Sequence, residues 1–302
     1  MPNVKLDIPG INEVQQLHEA MALHNLASHR VKKVDDMFKD RKIADYFDLI
    51  PEGKEIVGIE VEAEFDDHLT NSGMVGGFWR LEYDGSLRGF NPLEFVSRGS
   101  VGLHNWEQAV EALEDVISTN PFNYSYRAGI HVHVDVRNLT IAQLENFVTL
   151  YYMLEPQLLA FCGENRSGNL FCLGVSEAEY QKTRFIKAMI KEDLDYVCTD
   201  DIRYSALNFT SLEKYGSLEF RAMDTREGLQ GLKEWVKMLH AIRDYAISSE
   251  PRLLLEQFSM MGPYKFTETV LGELSSCLPK IDEKEMRQGM RNAQDVVYKV
   301  EL

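Results

Sequence analysis

The sequence predicts an α+β fold, in which helices pack on one face of a mostly antiparallel sheet. Three segments that alternate polar and apolar residues follow one another closely after residue 55. Two further strand regions, at 129–135 and 203–223, are separated and followed by stretches with apolar residues at helical spacing. The resulting order of strands, helix, strand, helices, hairpin and helices is typical of this class.

The first fifty residues precede the first predicted strand. Val14, Leu17 and Met21 lie at helical spacing, and a more charged stretch follows. Because this region carries no motif, we expect a helical N-terminal extension over residues 1–50 and a second domain over 51–302. The extension either serves homo-oligomer assembly or docking, or merely packs on the domain.

Three strands are predicted in close succession. Their segments read EIVGIEVEAEF, FWRLEYDG and PLEFVS, with Gly, Asn and Ser residues between them. Successive strand side chains point to opposite faces, so each strand has one apolar and one polar face. Short turns join antiparallel neighbours, and we expect these strands to pair in that way.

A helix over about 105–119 and a strand over 129–135 continue the chain. TIAQ at 140–143 and SEAE at 176–179 read as capping boxes, which predict the starts of two helices that cover the apolar face of the sheet. RYSALNFTSL and GSLEFRAM predict a hairpin that turns across 213–216. The next helix carries four apolar residues on one face, Leu232, Val236, Leu239 and Ile242, and the remainder also reads as helical.

The composition disfavours several classes of protein. With 48 acidic and 32 basic side chains the net charge is −16, which disfavours general binding to nucleic acid or to an anionic membrane. There is no signal-peptide pattern and no apolar stretch of about 18 residues, the length that a membrane span requires. The four cysteines have no CxxC spacing, so we expect reduced thiols and a cytoplasmic location.

Acidic residues share the polar faces of three predicted strands. They are Glu60, Glu62 and Glu64 in the first strand, Glu94 in the third and Glu219 in the last. In GIHVHVD, the side chains of His131, His133 and Asp135 also share one face. If these faces align, the repulsion between carboxylates favours a bound divalent cation. Oxygen-rich ligands with few imidazoles favour Mg²⁺ or Mn²⁺ over zinc.

An ordinary solvated sheet face is the alternative explanation, because such faces also alternate polar and apolar residues. Solvated faces usually mix Thr, Lys, Ser and Glu, however, and like charges two residues apart on one face are costly without a cation. No lysine lies within these motifs. The recurrence of acidic residues on three strands therefore favours a metal site.

Four arginines lie close in sequence to these motifs: Arg127, Arg166, Arg203 and Arg221. A guanidinium group can bind phosphate through two parallel hydrogen bonds and keeps its charge at any working pH. Each arginine could instead form an ordinary surface ion pair. The sequence contains no GxxxxGK[ST], no GxGxxG after a strand and no HExxH, so it gives no support for a P-loop, Rossmann or zinc-protease site.

The order of the motifs resembles a known family. GIEVE, DGS, LEFVS, GIHVHVD, RYSALN and SLEFR follow one another as in the carboxylate–amine ligases of the glutamine synthetase-like superfamily, most closely the amidoligase branch common in phages and bacteria. The resemblance covers about residues 55–250 and implies a sheet that forms a catalytic funnel, with ATP entering one end and divalent ions held midway. The chain lacks the N-terminal β-grasp domain and the long nucleotide-binding loop of glutamine synthetase, so glutamine synthesis is not implied.

The resemblance also implies roles for individual residues. Glu60, His131 and Glu219 would hold one ion, and Glu62 and Glu94 another. The implied nucleotide-binding residues are Arg127, Arg203, Asn208 and Arg221, of which Arg221 and Arg203 would also steady the transferred phosphoryl group. At the edge of the metal cluster, Glu64 or Asp84 is a candidate general base, or else a supporting residue.

These features predict an ATP-dependent, ADP-forming ligase that joins a small-molecule or peptide carboxylate to an amine through an acyl phosphate, with Mg²⁺ or Mn²⁺ as cofactor. The product would be an amide or isopeptide bond, and the location would be the cytoplasm, that of the host if a phage encodes the chain. Two alternatives stay open: a metal-dependent phosphohydrolase with water as the acceptor, and a non-catalytic protein that binds a ligand or assembles with a partner.

Overall fold

Six antiparallel strands form the sheet in the described part of the chain. They are β1 (Val57–Phe65), β2 (Trp79–Tyr83), β3 (Asn91–Ser97), β4 (Gly129–Asp135), β5 (Leu207–Asn208) and β6 (Ser217–Asp224). Across the open sheet their order is β2-β3-β1-β4-β6-β5. This computed structural model describes residues 37–50, 55–66, 76–99, 101–120, 123, 125–199, 203–225 and 229–301.

The strand register brings the predicted polar residues onto one face. Glu62 pairs with Glu94 of β3, and Glu60 pairs with His131 of β4. One row further along, His133 of β4 pairs with Glu219 of β6. The opposite face of β1 is buried and carries Ile59, Val61, Ala63 and Phe65. The split into an acidic and an apolar face, expected from the alternation in GIEVEAEF, is therefore confirmed.

The helices in the described part of the chain are α1 (Ile43–Tyr46), α2 (Trp106–Thr119), α3 (Ile141–Cys162), α4 (Glu179–Lys191), α5 (Ser211–Tyr215), α6 (Leu232–Ile247), α7 (Pro251–Met261), α8 (Pro263–Leu271) and α9 (Glu283–Glu301). Of these, α3 and α6 pack on the apolar face of the sheet. Phe220 of β6 packs against Phe147 and Tyr151 of α3, with ring centroids 5.7 and 5.0 Å away, and against Trp235 of α6. The predicted α+β class is confirmed.

The predicted capping box of α3 is present. Thr140 Oγ1 accepts a hydrogen bond from the Gln143 amide at 3.2 Å, and Gln143 Oε1 accepts one from the Thr140 amide at 2.9 Å. This pair satisfies two backbone donors that the first turn of a helix leaves free. The long helix that packs under the sheet is thus fixed at its start by local sequence.

Two other local predictions are wrong. The second capping box does not form, because the amides of Glu177 and Ala178 both donate to the carbonyl of Gly174 and turn the chain before α4 begins at Glu179. The predicted hairpin pairs β5 with β6 as expected, but its connection is the short helix α5 rather than a tight turn. Gly216, at φ 63°, ends that helix in the left-handed conformation that favours glycine.

Residues 1–36 of the predicted N-terminal extension lie outside the described residues. The described residues from Lys42 onward belong to one compact unit. At its start, the amides of Ile43 and Ala44 donate to the carbonyls of Leu139 and Arg137, both at 3.0 Å. Residues just before position 50 are therefore tied to the chain between β4 and α3.

The state of the cysteines and the character of the helices can be compared with the sequence predictions of reduced thiols and no membrane span. All four cysteines are free, and Cys162 and Cys172 are buried. Among the described residues, no helix combines the length and the apolar character needed to cross a bilayer.

Candidate functional site

Two carboxylate–histidine groups lie on the polar face of the sheet and share His131. One comprises Glu60, His131 and Glu219, the other Glu62, Glu94 and His131, and within each group the candidate ligand atoms lie within 4.8 Å of one another. Oxygen ligands lie about 2.1 Å from Mg²⁺ and hence about 3 to 4 Å from each other. The structure thus brings together every metal ligand expected from the sequence.

His131 is buried among three carboxylates. Its Nδ1 lies 3.3 Å from Glu60 Oε2 and 3.5 Å from Glu219 Oε1, and its Nε2 lies 3.7 Å from Glu62 Oε2. Since each nitrogen faces a different group, His131 can offer a ligand atom to either one. The guanidinium of Arg221 also lies 3.3 Å from Nδ1.

Two glycines leave room for the side chains of His133 and Arg166 at the site. A Cβ on Gly58 would lie 2.9 Å from the Cβ of His133, which pairs with it across β1 and β4. A Cβ on Gly129 would lie 2.9 Å from Arg166 Nη2, and the Gly129 amide donates to Glu62 Oε2 at 2.9 Å. The glycines of the GIEVE and GIHVHVD motifs therefore have a steric role at the site.

Ionisation of Glu62 and Glu94 is disfavoured at the site. Burial, followed by the charges of Glu60 and Glu62, raises the pKa of Glu94 to about 8. Burial also raises the pKa of Glu62. Like charges this close disfavour ionisation, and a divalent cation would relieve that repulsion.

The pKa of Glu60 is shifted in the opposite direction from those of Glu62 and Glu94. Burial opposes its ionisation, but hydrogen bonds to His131 and His133 outweigh burial and lower the pKa of Glu60. Burial likewise opposes the charged form of His133, yet its contact with Glu60 and the charge of Glu219 raise the pKa of His133. The other nitrogen of His133 lies 3.1 Å from Ser217 Oγ, which fixes the ring.

Glu219 is held on both sides. Its Oε1 accepts from Arg221, and its Oε2 accepts from Asn208 Nδ2 at 2.6 Å. Burial opposes ionisation, but the charge of Arg221 lowers the pKa of Glu219. Asn208 Oδ1 in turn accepts from the Thr210 amide at 3.0 Å. The amide of Asn208, expected to bind nucleotide, is therefore engaged at both ends and orients Glu219.

Arg166 fixes an irregularity in β6 beside the site. The register of β4 and β6 shifts at His131, so that two residues of β6, Arg221 and Ala222, face this one residue of β4. Arg166, only 2% exposed, donates to the carbonyls of Ala222 and Arg221 at 2.6 and 2.9 Å and to that of Ala128 at 3.3 Å. Such bulges re-aim side chains next to active sites. Arg166 thereby helps to aim Arg221 at the carboxylates.

Two clefts extend from the carboxylates toward opposite ends of the strands, and Glu60 and Glu94 line both. The arginine cleft, of about 210 Å³, includes Arg127, Arg166, Arg203, Arg221, Phe171 and Tyr204. The Tyr215 cleft, of about 700 Å³, includes Leu49, Ile50, Arg80, His133, Lys214 and Tyr215. The acidic groups thus lie where a small and a large cleft meet.

The charges of the arginine cleft are unevenly paired. Arg221 forms an ion pair with Glu219. Within the described part of the chain, Arg127, Arg166 and Arg203 have no carboxylate partner. Ordinary surface ion pairs, the alternative considered from the sequence, therefore do not account for these three, and the cleft can attract an anion.

The two candidate general bases occupy different places. Glu64 Oε1 accepts from the Arg88 amide and from Ser125 Oγ, both at 3.0 Å, and Glu64 lines neither cleft. Asp84 lines the arginine cleft and accepts from the amide and hydroxyl of Ser86 at 2.7 and 2.9 Å. Of the two, Asp84 is the one positioned to reach a bound molecule.

Sequence reasoning missed the Tyr215 cleft and the β6 bulge. Lys214 and Tyr215 lie where a tight turn was expected, and Lys214 Nζ lies 4.6 Å from the centre of the Tyr215 ring. A charged residue next to an aromatic one in a predicted turn gives no functional signal. Arg166 was noticeable as one of four arginines, but its contacts depend on residues far from it in sequence.

Comparison with known proteins agrees with this geometry. The family model described as "putative amidoligase enzyme" matches residues 50–242, which is more than half of the chain. The matched region contains both carboxylate–histidine groups and the four arginines of the smaller cleft. None of the curated proteins compared matches the chain. The family expected from the order of the motifs is therefore confirmed, and the chain belongs to the amidoligase family.

Proposed function

We propose that this chain is an ATP-dependent ligase that joins a carboxylate to an amine through an acyl phosphate. The observation that carries the proposal is the placement of two carboxylate–histidine groups at the junction of two clefts, one of them rich in unpaired arginines. Phosphoryl transfer depends mainly on positioning and on neutralising charge, which such residues can provide. Membership of the amidoligase family supports a ligase.

The donor set fits Mg²⁺ or Mn²⁺ as cofactor. Four carboxylates and one imidazole form the two groups, and hard cations prefer oxygen ligands. Glu60, His131 and Glu219 would hold one ion, and Glu62 and Glu94 the other. When bound, the ions would neutralise charge on the phosphate oxygens of the nucleotide.

Cleft sizes support a division of substrates. The Tyr215 cleft, at about 700 Å³, is large enough for a nucleotide, whereas the arginine cleft, at about 210 Å³, suits a molecule of amino-acid size. A glutamine synthetase-like funnel open at both ends would correspond to these two clefts. Arg127 and Arg203, expected from the sequence to bind nucleotide, lie in the smaller cleft.

The proposed reaction has two steps. An oxygen of the substrate carboxylate attacks the γ-phosphorus of ATP, ADP leaves, and an acyl phosphate forms while Arg221 holds the transferring group. The amine nitrogen then attacks the acyl carbon, phosphate leaves, and Asp84 takes a proton from the amine. The β6 bulge and the Arg221–Glu219 ion pair keep the guanidinium of Arg221 at the junction of the clefts.

The decisive experiment measures the products of ATP turnover with Mg²⁺ and a mixture of carboxylates and amines. We expect ADP and phosphate, turnover only when a carboxylate is present, and transfer of ¹⁸O from the labelled carboxylate into the phosphate. Glu219→Gln should abolish turnover, whereas Glu111→Gln, an exposed residue of α2, should not. Turnover without a carboxylate would indicate a phosphohydrolase, and ATP binding without any turnover would indicate a non-catalytic protein.

Three further expectations remain part of the proposal. Of the extension expected over residues 1–50, the part ahead of Lys42 would mediate homo-oligomer assembly, the residues from Lys42 onward would belong with 51–302 to the catalytic domain, and the protein would act in the cytoplasm. Its substrates would be small-molecule or peptide carboxylates and amines.

A further inference from the structure

Two guanidinium groups in the arginine cleft are held in place without being neutralised. The Arg127 guanidinium carbon lies 4.7 Å from the centre of the Phe171 ring, and that of Arg203 lies 4.7 Å from the centre of the Tyr204 ring. Stacking of this kind fixes the plane of a guanidinium group but uses none of its N–H donors. Arg203 donates one hydrogen bond, to the Tyr204 hydroxyl at 2.6 Å.

The aromatic rings that carry these arginines support one another. The ring centroids of Phe171 and Tyr204 lie 5.9 Å apart, and those of Phe171 and Tyr126 lie 6.3 Å apart, both edge to face. The two guanidinium groups thus rest on one connected set of rings, which limits their freedom before any ligand binds. Groups fixed in advance lose less entropy on binding.

The other two arginines of the cleft are already engaged. Arg166 donates to three backbone carbonyls, and Arg221 is paired with Glu219 beside the carboxylates. Arg221 is therefore placed to contact the reacting group, whereas Arg127 and Arg203 keep free N–H donors for another group of the ligand. Neither Arg127 nor Arg203 lines the larger cleft, which has room for a nucleotide.

We propose that the carboxylate substrate is a small molecule with a second anionic group, and that Arg127 and Arg203 bind this second group. The inference rests on the proposed ligase function, since it takes the first carboxylate to lie at Arg221 and the acidic groups. A cleft of about 210 Å³ admits such a molecule, and two fixed guanidinium groups suit either a carboxylate or a phosphate-type anion. Arg127 and Arg203 would then select the substrate rather than hold the nucleotide.

The test is calorimetric binding of matched anions in the presence of Mg²⁺. The diacids malonate, succinate, glutarate and adipate are compared with monocarboxylates of equal carbon number, and 3-phosphonopropionate tests a phosphate-type second anion. At least one diacid or the phosphonate should bind about tenfold more tightly than its monocarboxylate, the gain expected from charge-assisted hydrogen bonds. Arg127→Met and Arg203→Met should each reduce this preference, and Lys at either position should restore part of it.

Arg184→Met is the matched control. Arg184 stacks on Tyr180 at the same 4.7 Å but does not line the cleft, so its loss should leave the preference unchanged. A preference caused by chelation of Mg²⁺ in solution would survive in the cleft variants as well. The proposal is overturned if no diacid or phosphonate is preferred, if the preference survives both cleft variants, or if those variants instead weaken binding of a non-hydrolysable ATP analogue. Because binding is measured without turnover, these outcomes are distinct from failure of the ligase assay.

Discussion

His131 and His133 differ in their relation to the acidic groups, although they share one face of β4. His131 belongs to both groups, whereas His133 contacts Glu60 from the side of the Tyr215 cleft. We expect His133→Ala, which removes a partner of the candidate ligand Glu60, to weaken Mn²⁺ binding about tenfold to a hundredfold, and His131→Ala to weaken it more and to abolish turnover. Mn²⁺ titration of both variants measures the difference. A larger loss of metal affinity in His133→Ala would contradict the ligand assignment.

Glu155 gives a second prediction at the scale of one residue, and it lies outside the site. Burial in α3 raises the pKa of Glu155 to about 8, while Oε2 accepts from the Val175 amide at 2.7 Å. A carboxyl whose folded pKa exceeds its unfolded value stabilises the fold below the unfolded pKa, and this contribution is lost as pH rises through the folded pKa. Between about pH 4.5 and 8, Glu155 should therefore lower the free energy of unfolding by about 1.4 kcal/mol for each unit by which the pH rises.

Glu155→Gln should therefore lose less stability than the wild type when urea unfolding at pH 5 is compared with that at pH 8. Glutamine resembles the protonated acid and can still accept from Val175. The comparison between the two pH values cancels groups that both proteins share, including the acidic site. Glu256→Gln, an exposed change in α7, should leave the pH dependence as in the wild type. Equal losses in Glu155→Gln and wild type would show that this carboxyl is ionised in the folded protein.

At the scale of the element, the two capping-box sequences provide a matched pair. Thr140 caps α3, whereas Ser176 is exposed and accepts a hydrogen bond from Asn292 Nδ2 at 2.9 Å. Thr140→Ala should lower the free energy of unfolding by about 1 kcal/mol, and Ser176→Ala should change it by less than about 0.5 kcal/mol. Urea unfolding of both variants measures this. Equal costs would mean that the cap contributes nothing beyond an ordinary surface hydrogen bond.

The same pair illustrates how far sequence determines the elements. Alternation located the acidic strands because each buries one face, and Thr140 with Gln143 formed a cap because both partners are local. The pattern at Ser176 failed because a turn closed by the Gly174 carbonyl delays the helix. The β6 bulge coincides with a slip in the alternation of SLEFRAMD, where the apolar residues Ala222 and Met223 follow each other, and Arg166 holds the irregularity through contacts that are distant in sequence. Motifs thus named the candidate ligands, but tertiary contacts decided their arrangement.

At the scale of the whole molecule, the net charge of −16 opposes the binding of anionic substrates. A strongly acidic chain repels free nucleotide and carboxylate substrates over long distances, unless local cations offset the field. The unpaired arginines of the smaller cleft and the ions expected at the acidic groups both provide such an offset. Substrate binding should therefore depend on divalent cations as well as on the arginines.

The boundary of the N-terminal extension gives the last prediction. Ile43 and Ala44 are buried, and their amides are bonded to the chain between β4 and α3. Deleting residues 1–40 should leave Mn²⁺ affinity and urea unfolding unchanged while altering the oligomeric mass, if the extension mediates assembly. Deleting residues 1–46 also removes Ile43, whose burial alone contributes about 1.5 to 3 kcal/mol, and should lower the free energy of unfolding by at least that much.

Light scattering measures the mass of both truncations, and urea unfolding measures their stability. The shorter deletion is the control for the longer one, because both remove residues 1–40 and only the longer one also removes residues 41–46, which include the bonded Ile43 and Ala44. An unchanged mass after the shorter deletion would remove the assembly role from residues 1–40. Loss of Mn²⁺ binding in that still-folded truncation would place part of the extension at the metal site, and equal stability of the two truncations would mean that the contacts of Ile43 and Ala44 do not hold in solution.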